Sequence, residues 1–350
     1  MSGERVVLVG PLADARMLAV LGVQGRAVVL PGGLRGGARA GIEAGGWPCW
    51  TEGPGVPGVE VEMTPALRRY AAVFGLAGPV WGAQDAGSGA GDWPCDWPGD
   101  WPGDLAAEIA RIILSDEVGR SPEDTARRLP MIGIWAGSRL RAQAFAPPVT
   151  DLLTEGRVDL DSTRQPYAEY FSVQHLHLRH SLHDGGMSEP LERAVFGMGD
   201  AVVILPYDPQ RDRVLLIDQM RAAPVAMGDP QPWLLEGIAG RIDAGETPDD
   251  AARREAVEEA GLRLGRLIPA PLHYPSPAAV AERIYPFIGL ADLPDAAAGV
   301  HGLASEAEDI RSHPIPREEL DALVQAGAIR NGPLLILALW LRLHLDQLRA

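Results

Sequence analysis

Three glutamates, Glu255, Glu258 and Glu259, stand at i, i+3 and i+4 in the stretch Arg254-Glu-Ala-Val-Glu-Glu-Ala-Gly261. In a helix, about 100° of rotation per residue puts all three carboxylates on one face. Like charges so placed repel by roughly a few tenths of a kcal/mol per exposed pair, and by more when buried. A hard divalent cation reverses that sign, because Mg²⁺ takes oxygen ligands in octahedral geometry. Glu246 can join from the preceding loop, and Arg254 stands beside the cluster, placed to brace a carboxylate. The chemistry on offer is the holding of a divalent metal. A solvated acidic helix face is the competing reading, and Glu-x-x-Glu-Glu taken alone favours it.

The element that must carry these residues is well marked. Thr247 suits an N-cap, Pro248 the first helical position and Asp250 the third, while Gly261 suits the stop. A helix over 247–260 would place Ala252, Ala256 and Ala260 in one small stripe for close packing. Around it the second half reads as mixed α/β. Phe171–Arg179 alternates with period two, and Ala201–Leu205, Arg213–Asp218 and Ile284–Leu290 are apolar runs of strand length. Leu334–Leu348 reads as a closing amphipathic helix.

The full spacing decides between the two readings of the glutamates. It runs glycine (Gly240), five residues, Glu246, seven residues, Arg254-Glu255, two residues, Glu258-Glu259, one residue, Gly261 and an apolar Leu262. This resembles the Nudix box at every defining position, with Ala256 where a larger aliphatic is common. Residues from about 165 to 350 resemble an ADP-ribose pyrophosphatase throughout. Pro277 stands fifteen residues past Leu262, at the place of that branch's proline, and Glu282 follows where the family has an acid. Ala278-Ala279 departs from the Gly-rich stretch usual there.

The resemblance implies roles residue by residue. Glu255, Glu258, Glu259 and the Ala239 carbonyl would be metal ligands, for Mg²⁺ with Mn²⁺ as a substitute. His301–Ile310 resembles the mobile loop that carries the catalytic base, with Glu306 favoured and Glu308 the fallback. Glu259 and Arg254 complete the catalytic set. Tyr170 falls where an aromatic stacks on adenine, Arg193 and Arg221 where arginines contact the nucleotide, and Glu282 joins them as a substrate contact. An aromatic face suits a base and an Arg fork suits phosphate oxygens. A half-buried strand residue is the competing reading for Tyr170, and a surface charge for Arg193. Leu178–Ser188 resembles the segment exchanged between subunits of the family dimer, so a homodimer is expected. The histidines at 175, 177, 180 and 183 read as surface or interface residues rather than ligands.

The 350 residues suggest two domains. The expected division is 1–145 and 146–350, giving a C-terminal α/β/α Nudix sandwich with a mixed sheet behind a smaller α+β domain. Residues 1–81 resemble the γ-glutamyl cyclotransferase-like fold. Val9-Gly10-Pro-Leu12 stands at its nucleotide-like turn, Pro11 replaces a Thr and Phe74 the acid/base glutamate, which implies a module without catalysis. Such a domain ahead of a Nudix domain resembles the bacterial tellurite-resistance-associated subgroup. Residues 82–104 repeat Asp-Trp-Pro at 92–94, 96–98 and 100–102 and read as an exposed, expanded loop.

The net charge is −16, and the acidity sits in the second half: 13 Arg and 16 acids in 1–150, against 18 Arg and 31 acids in 151–350. That sign disfavours nucleic-acid backbones and anionic membranes and suits a site that gathers cations. Cys49 and Cys95 form no metal or disulfide framework. Without a leader or an apolar run of about 18 residues, the expected location is cytoplasmic. The expected activity is metal-dependent hydrolysis of ADP-ribose to AMP and ribose 5-phosphate. The alternatives are another nucleoside diphosphate sugar or dinucleotide as substrate, or a non-catalytic ADP-ribose sensor.

Overall fold

The computed structural model describes residues 4–85, 100–115, 119–146, 150, 152, 156–303 and 308–349. The apolar run at the N-terminus forms β1 (Arg5–Val9), and α1 (Ala15–Leu21) follows, capped by the Asp14 side chain and stopped by Gly22 in the left-handed region at φ 64°. Then come β2 (Gly25–Leu30), the small hairpin of β3 (Gly33–Arg35) and β4 (Cys49–Thr51), β5 (Val56–Glu62), α2 (Pro65–Phe74) and β6 (Val80–Trp81). The sheet order is β2-β5-β1-β6, with β1 and β6 parallel. Three helices, α3 (Gly103–Leu114), α4 (Pro122–Arg127) and α5 (Leu129–Gln143), add to this part, and Ile109, Ile113, Ile132 and Trp135 join its core with Leu8 and Leu67. An antiparallel sheet of β7 (Val158–Ala168), β8 (Ser172–His180) and β9 (Leu191–Gly197) comes next.

The third Asp-Trp-Pro step corrects the expectation of an exposed loop. Trp101 is 9% exposed, its Nε1 donates to the Ala40 carbonyl at 2.9 Å, and the Arg16 guanidinium lies 5.4 Å over its ring. An indole has a large apolar body and one donor, so a buried place with one acceptor suits it. The steps at 92–94 and 96–98, and Cys95, lie outside the described residues.

The second part is built on β10 (Ala201–Asp208), β11 (Arg213–Met220), a short α6 (Ala222–Ala226), β12 (Trp233–Glu236), β13 (Ile238–Arg241), α7 (Pro248–Ala260), β14 (Leu267–Pro269), β15 (Val280–Ala281), β16 (Ile284–Leu290), β17 (Gly299–His301), β18 (Ile310–Pro316), α8 (Arg317–Gln325) and α9 (Gly332–Arg349). Its sheet runs β14-β16-β10-β11-β18-β17, with β12 on β11 and β13 on β10. β10 and β16 are parallel and the other pairs antiparallel, so the sheet is mixed. Alternation along β10 sends Val203, Leu205 and Tyr207 to one face, with Leu334, Leu337 and Leu341 of α9, and Val202 and Ile204 to the other, with Ala252 and Ala256 of α7. Both faces are covered, which is why β10 reads as an unbroken apolar run. This is the expected α/β/α sandwich.

Contacts divide the chain into two compact units, Met1–Gly197 with Asp243–Gly245, and Met198–Ile242 with Glu246–Ala350. The strands β7 to β9 are grouped with the first unit, whereas the expected division at 145/146 falls between α5 and β7. Among the described residues no helix is long and apolar enough to cross a membrane.

Candidate metal centre

α7 forms as its end signals require. Thr247 Oγ1 accepts from Asp250 N at 3.2 Å, Pro248 opens the helix, and Gly261 closes it at φ 61°. Ala251, Ala252, Ala256 and Ala260 are buried against the sheet. Methyl side chains let the helix approach closely, and that approach takes the acidic face down with it. Glu259 is 2% exposed and Glu255 9%.

Gly240 makes room for this. A Cβ there would lie 1.8 Å from Glu255 Oε1 and 2.0 Å from its carboxyl carbon. Any other residue would collide with the carboxylate, so the glycine of β13 and the glutamate of α7 form one cradle. Glu259 Oε2 accepts from the Ala239 N–H at 2.9 Å. In an antiparallel strand a residue's N–H and C=O point to the same edge, so the Ala239 carbonyl opens toward the same side as Glu259.

Arg254 organises the remaining carboxylates. Its Nε and Nη2 donate to the two oxygens of Glu246 at 3.0 and 2.9 Å, a bidentate fork. Its Nη1 donates to Glu255 Oε1 at 2.6 Å and Glu258 Oε2 at 3.0 Å, and Nη2 also reaches the Arg241 carbonyl at 2.9 Å. Five bonds from one planar guanidinium fix its position, which a lysine could not reproduce.

Burial dominates the acidity. Desolvation pushes Glu259 up to about 8, against the opposing Ala239 N–H, with the charges of Glu255 and Glu308 adding to the rise. Desolvation also pushes Glu255 up to about 7, opposed by Arg254 and assisted by Glu258 and Glu308. The bond to Glu246 raises the Arg254 guanidinium further above its already high value.

These groups fit a hard divalent cation. Among the described residues no three His, Cys, Asp or Glu side chains converge closely enough to hold a metal ion as they stand, and Arg254 and Ala239 each take carboxylate oxygens of this cluster. One oxygen of each carboxylate is left over, namely Glu255 Oε2, Glu258 Oε1 and Glu259 Oε1. Buried carboxyls with raised pKa are groups that a nearby 2+ charge would ionise, and oxygen donors are what Mg²⁺ prefers.

A NUDIX domain model matches residues 197–330. The ADP-ribose pyrophosphatase of Escherichia coli (strain K12) is 42% identical over 192 residues, covering 55% of this chain and 91% of that protein. This chain belongs to the Nudix family. The ADP-ribose pyrophosphatase of Haemophilus influenzae is 38% identical over 185 residues, covering 52% of this chain and 85% of that one. The GDP-mannose pyrophosphatase of Enterobacter sp. (strain 638) is 35% identical over 152 residues, covering 43% and 78%. A solved structure of an ADP compounds hydrolase aligns at TM-score 0.43 and 19% identity, over 57% of this chain and all of that one.

The other expected site residues fall in several places. Within the second unit, Glu308 stands electrostatically close to the Nudix helix, and its Oε2 accepts from Leu303 N at 3.2 Å. The start of its loop is tied to the helix by Gly302 N–H donating to the Glu258 backbone carbonyl at 3.3 Å. Gly302 takes φ 104°, and a Cβ there would meet Glu308 Cβ at 2.7 Å, so this turn also requires glycine. Glu306 lies outside the described residues. Arg221 is near enough for its charge to favour ionised Glu259, and its Nε and Nη2 donate to Glu236 Oε2 at 3.0 and 2.6 Å. Desolvation pushes Glu282 up to about 7, against Arg241 and with Asp200. Tyr170, 67% exposed, sits in the β7–β8 turn and Arg193 in β9, both in the first unit. Arg193 Nη1 donates to the Glu192 carbonyl at 2.9 Å.

Sequence reasoning missed Glu236. It is 2% exposed and accepts from Arg221 and from Asn331 Nδ2 at 3.1 Å, so it positions Arg221. Its signal was present as the one acid in the apolar run Trp233-Leu-Leu-Glu236, since a buried acid needs partners.

Proposed function

We propose that this Nudix enzyme hydrolyses the diphosphate bond of ADP-ribose, releasing AMP and ribose 5-phosphate. The observation that carries the chemistry is the Gly240–Glu255 cradle with Glu259 buried beside it, a nest of hard oxygens between one strand and one helix. The substrate follows from the relatives named ADP-ribose pyrophosphatase that match over nearly their whole length.

Glu255, Glu258, Glu259 and the Ala239 carbonyl would hold Mg²⁺, with Mn²⁺ as a substitute. When bound, the metal neutralises diphosphate charge and acidifies a water. Arg254 keeps Glu246, Glu255 and Glu258 in place throughout, through bonds that do not depend on substrate. The proton of the attacking water goes to Glu306, with Glu308, whose charge reaches Glu255 and Glu259, as the fallback. Within the second unit Arg221, braced by Glu236, and Glu282 are the substrate contacts, and the family resemblance gives Tyr170 and Arg193 their nucleotide-contact roles.

Hydrolysis of another nucleotide sugar is the second reading, favoured by the relative named GDP-mannose pyrophosphatase. A sensor without turnover is disfavoured because all four box glutamates are present. For the first unit we propose a module without catalysis. Phe74 is buried between Trp47, at 5.6 Å, and Tyr70, at 4.7 Å, and Leu34 and Pro48 crowd Gly10. A homodimer in the cytoplasm completes the reading. Release of AMP from ADP-ribose, compared with GDP-mannose, NADH and diadenosine diphosphate under Mg²⁺, tests the substrate.

A further inference from the structure

Arg221 is held through its side chain and through its backbone, and both holds lead to the start of α9. The side chain forks onto a single oxygen of the buried Glu236, with Nε and Nη2 donating to Oε2 at 3.0 and 2.6 Å. The other oxygen, Oε1, accepts from Asn331 Nδ2 at 3.1 Å. The Arg221 backbone N–H donates to the Pro232 carbonyl at 3.0 Å. The turn just before Pro232 is tied down by Arg330, whose Nη1 donates to Asp229 Oδ2 at 2.6 Å and whose Nη2 donates to the Gln231 carbonyl. All of these residues belong to the second unit.

Asn331 does two things with one amide. Its Oδ1 accepts from Leu334 N at 2.9 Å and so caps α9, while its Nδ2 reaches Glu236. Only this orientation suits both neighbours, because a carboxylate accepts and a backbone N–H donates. Capping alone does not call for asparagine, since Ser, Asp and Asn cap about equally well. Among the three only asparagine adds an amide donor long enough to serve a second group. With both oxygens bonded, the plane of the Glu236 carboxylate is fixed, and a fixed acceptor fixes the guanidinium that forks onto it.

We propose that Asn331 is a positioning residue for Arg221, acting through Glu236, so that the residue capping α9 also sets how tightly the nucleotide substrate is held. This role presupposes Arg221 as a substrate contact in the hydrolysis proposed above.

The test separates the two jobs of the amide. Asn331→Asp and Asn331→Ser keep the cap and lose the donor, whereas Asn331→Ala loses both. Each full-length variant is read by steady-state hydrolysis of ADP-ribose at saturating Mg²⁺, by thermal unfolding, and by the ¹⁵N–¹H signal of Arg221 Nε, assigned by its loss in Arg221→Lys. Asn331→Asp and Asn331→Ser hold the natural Tm, shift the Arg221 signal and raise KM roughly tenfold with kcat nearly unchanged, the mark of lost uniform binding. Asn331→Ala raises KM alike and lowers Tm as well. If Asn331→Asp and Asn331→Ser leave KM and the Arg221 signal where they were, Asn331 is a cap only and the proposal is overturned. A natural protein that fails to turn over ADP-ribose refutes that substrate alone, and the Arg221 signal then decides between the same two outcomes.

Discussion

Gly240 and Glu255 are fitted to one another so closely that a single methyl on the glycine would overlap the carboxylate, 1.8 Å from Oε1. They lie fifteen residues apart in the chain, one on a strand and one on a helix. Gly240→Ala must therefore move the carboxylate or part strand from helix. Misplacement of a reacting group by about 1 Å costs on the order of 100-fold in rate. We expect that loss in kcat for ADP-ribose hydrolysis, with the far-ultraviolet circular dichroism unchanged.

Arg254 serves Glu246, Glu255 and Glu258 at once. Arg254→Lys keeps the charge and loses the fork. Residues that orient metal ligands typically contribute roughly 10–100-fold to metal affinity or activity. The variant should need more Mg²⁺ for half-maximal rate, and saturating Mg²⁺ should restore part of kcat.

Acidity gives a prediction with a definite sign. Glu255 and Glu259 are pushed up to about 7 and about 8 from an unfolded value near 4.5. Between those limits the folded protein binds more protons than the unfolded chain, so without metal these two groups lower stability as pH rises from about 4.5 to about 8. A cation needs the ionised forms, so its binding releases protons and strengthens over the same range. Thermal unfolding with and without Mg²⁺ should show a Tm gain that is small at pH 6 and grows to pH 8.5. In Glu259→Gln that growth should be reduced.

Arg283 and Asp200 form an ion pair with both side chains almost fully buried, 3% and 1% exposed, at 3.1 Å. Removing one partner strands the other charge away from water. Arg283→Met should cost about 3–5 kcal/mol in denaturant unfolding. The double variant Arg283→Met with Asp200→Asn should recover part of that loss.

What the sequence disclosed follows the strength of its local signals. α7 was legible because Thr247, Pro248 and Gly261 mark both ends and the alanines repeat every four residues. α5 was not, since Leu129 to Gly137 is buried on nearly every side, so no amphipathic period marks it, and Pro130, Gly133 and Gly137 read as breakers. β7 was hidden by Pro166 and by irregularities at Leu160/Ser162 and Arg164/Tyr167, which spoil its alternation. Trp101 lies in a loop as expected but was taken as exposed because its repeat looks low in complexity, and only tertiary packing gives it Ala40 as a partner. At the metal centre the carboxylates were legible from their spacing. Their depth, the fork of Arg254 and the Glu236 support of Arg221 were not, because each joins residues distant in sequence.

The central claim is that the buried Nudix carboxylates hold the metal that drives diphosphate hydrolysis. The most direct test is AMP release from ADP-ribose, with Mg²⁺ titrated, in the natural protein and in Glu259→Gln. The account predicts metal-dependent AMP release that stops on chelation and falls by on the order of 1,000-fold in the variant, which keeps its circular dichroism. AMP release at an unchanged rate in Glu259→Gln, or with all divalent metal removed, would contradict it.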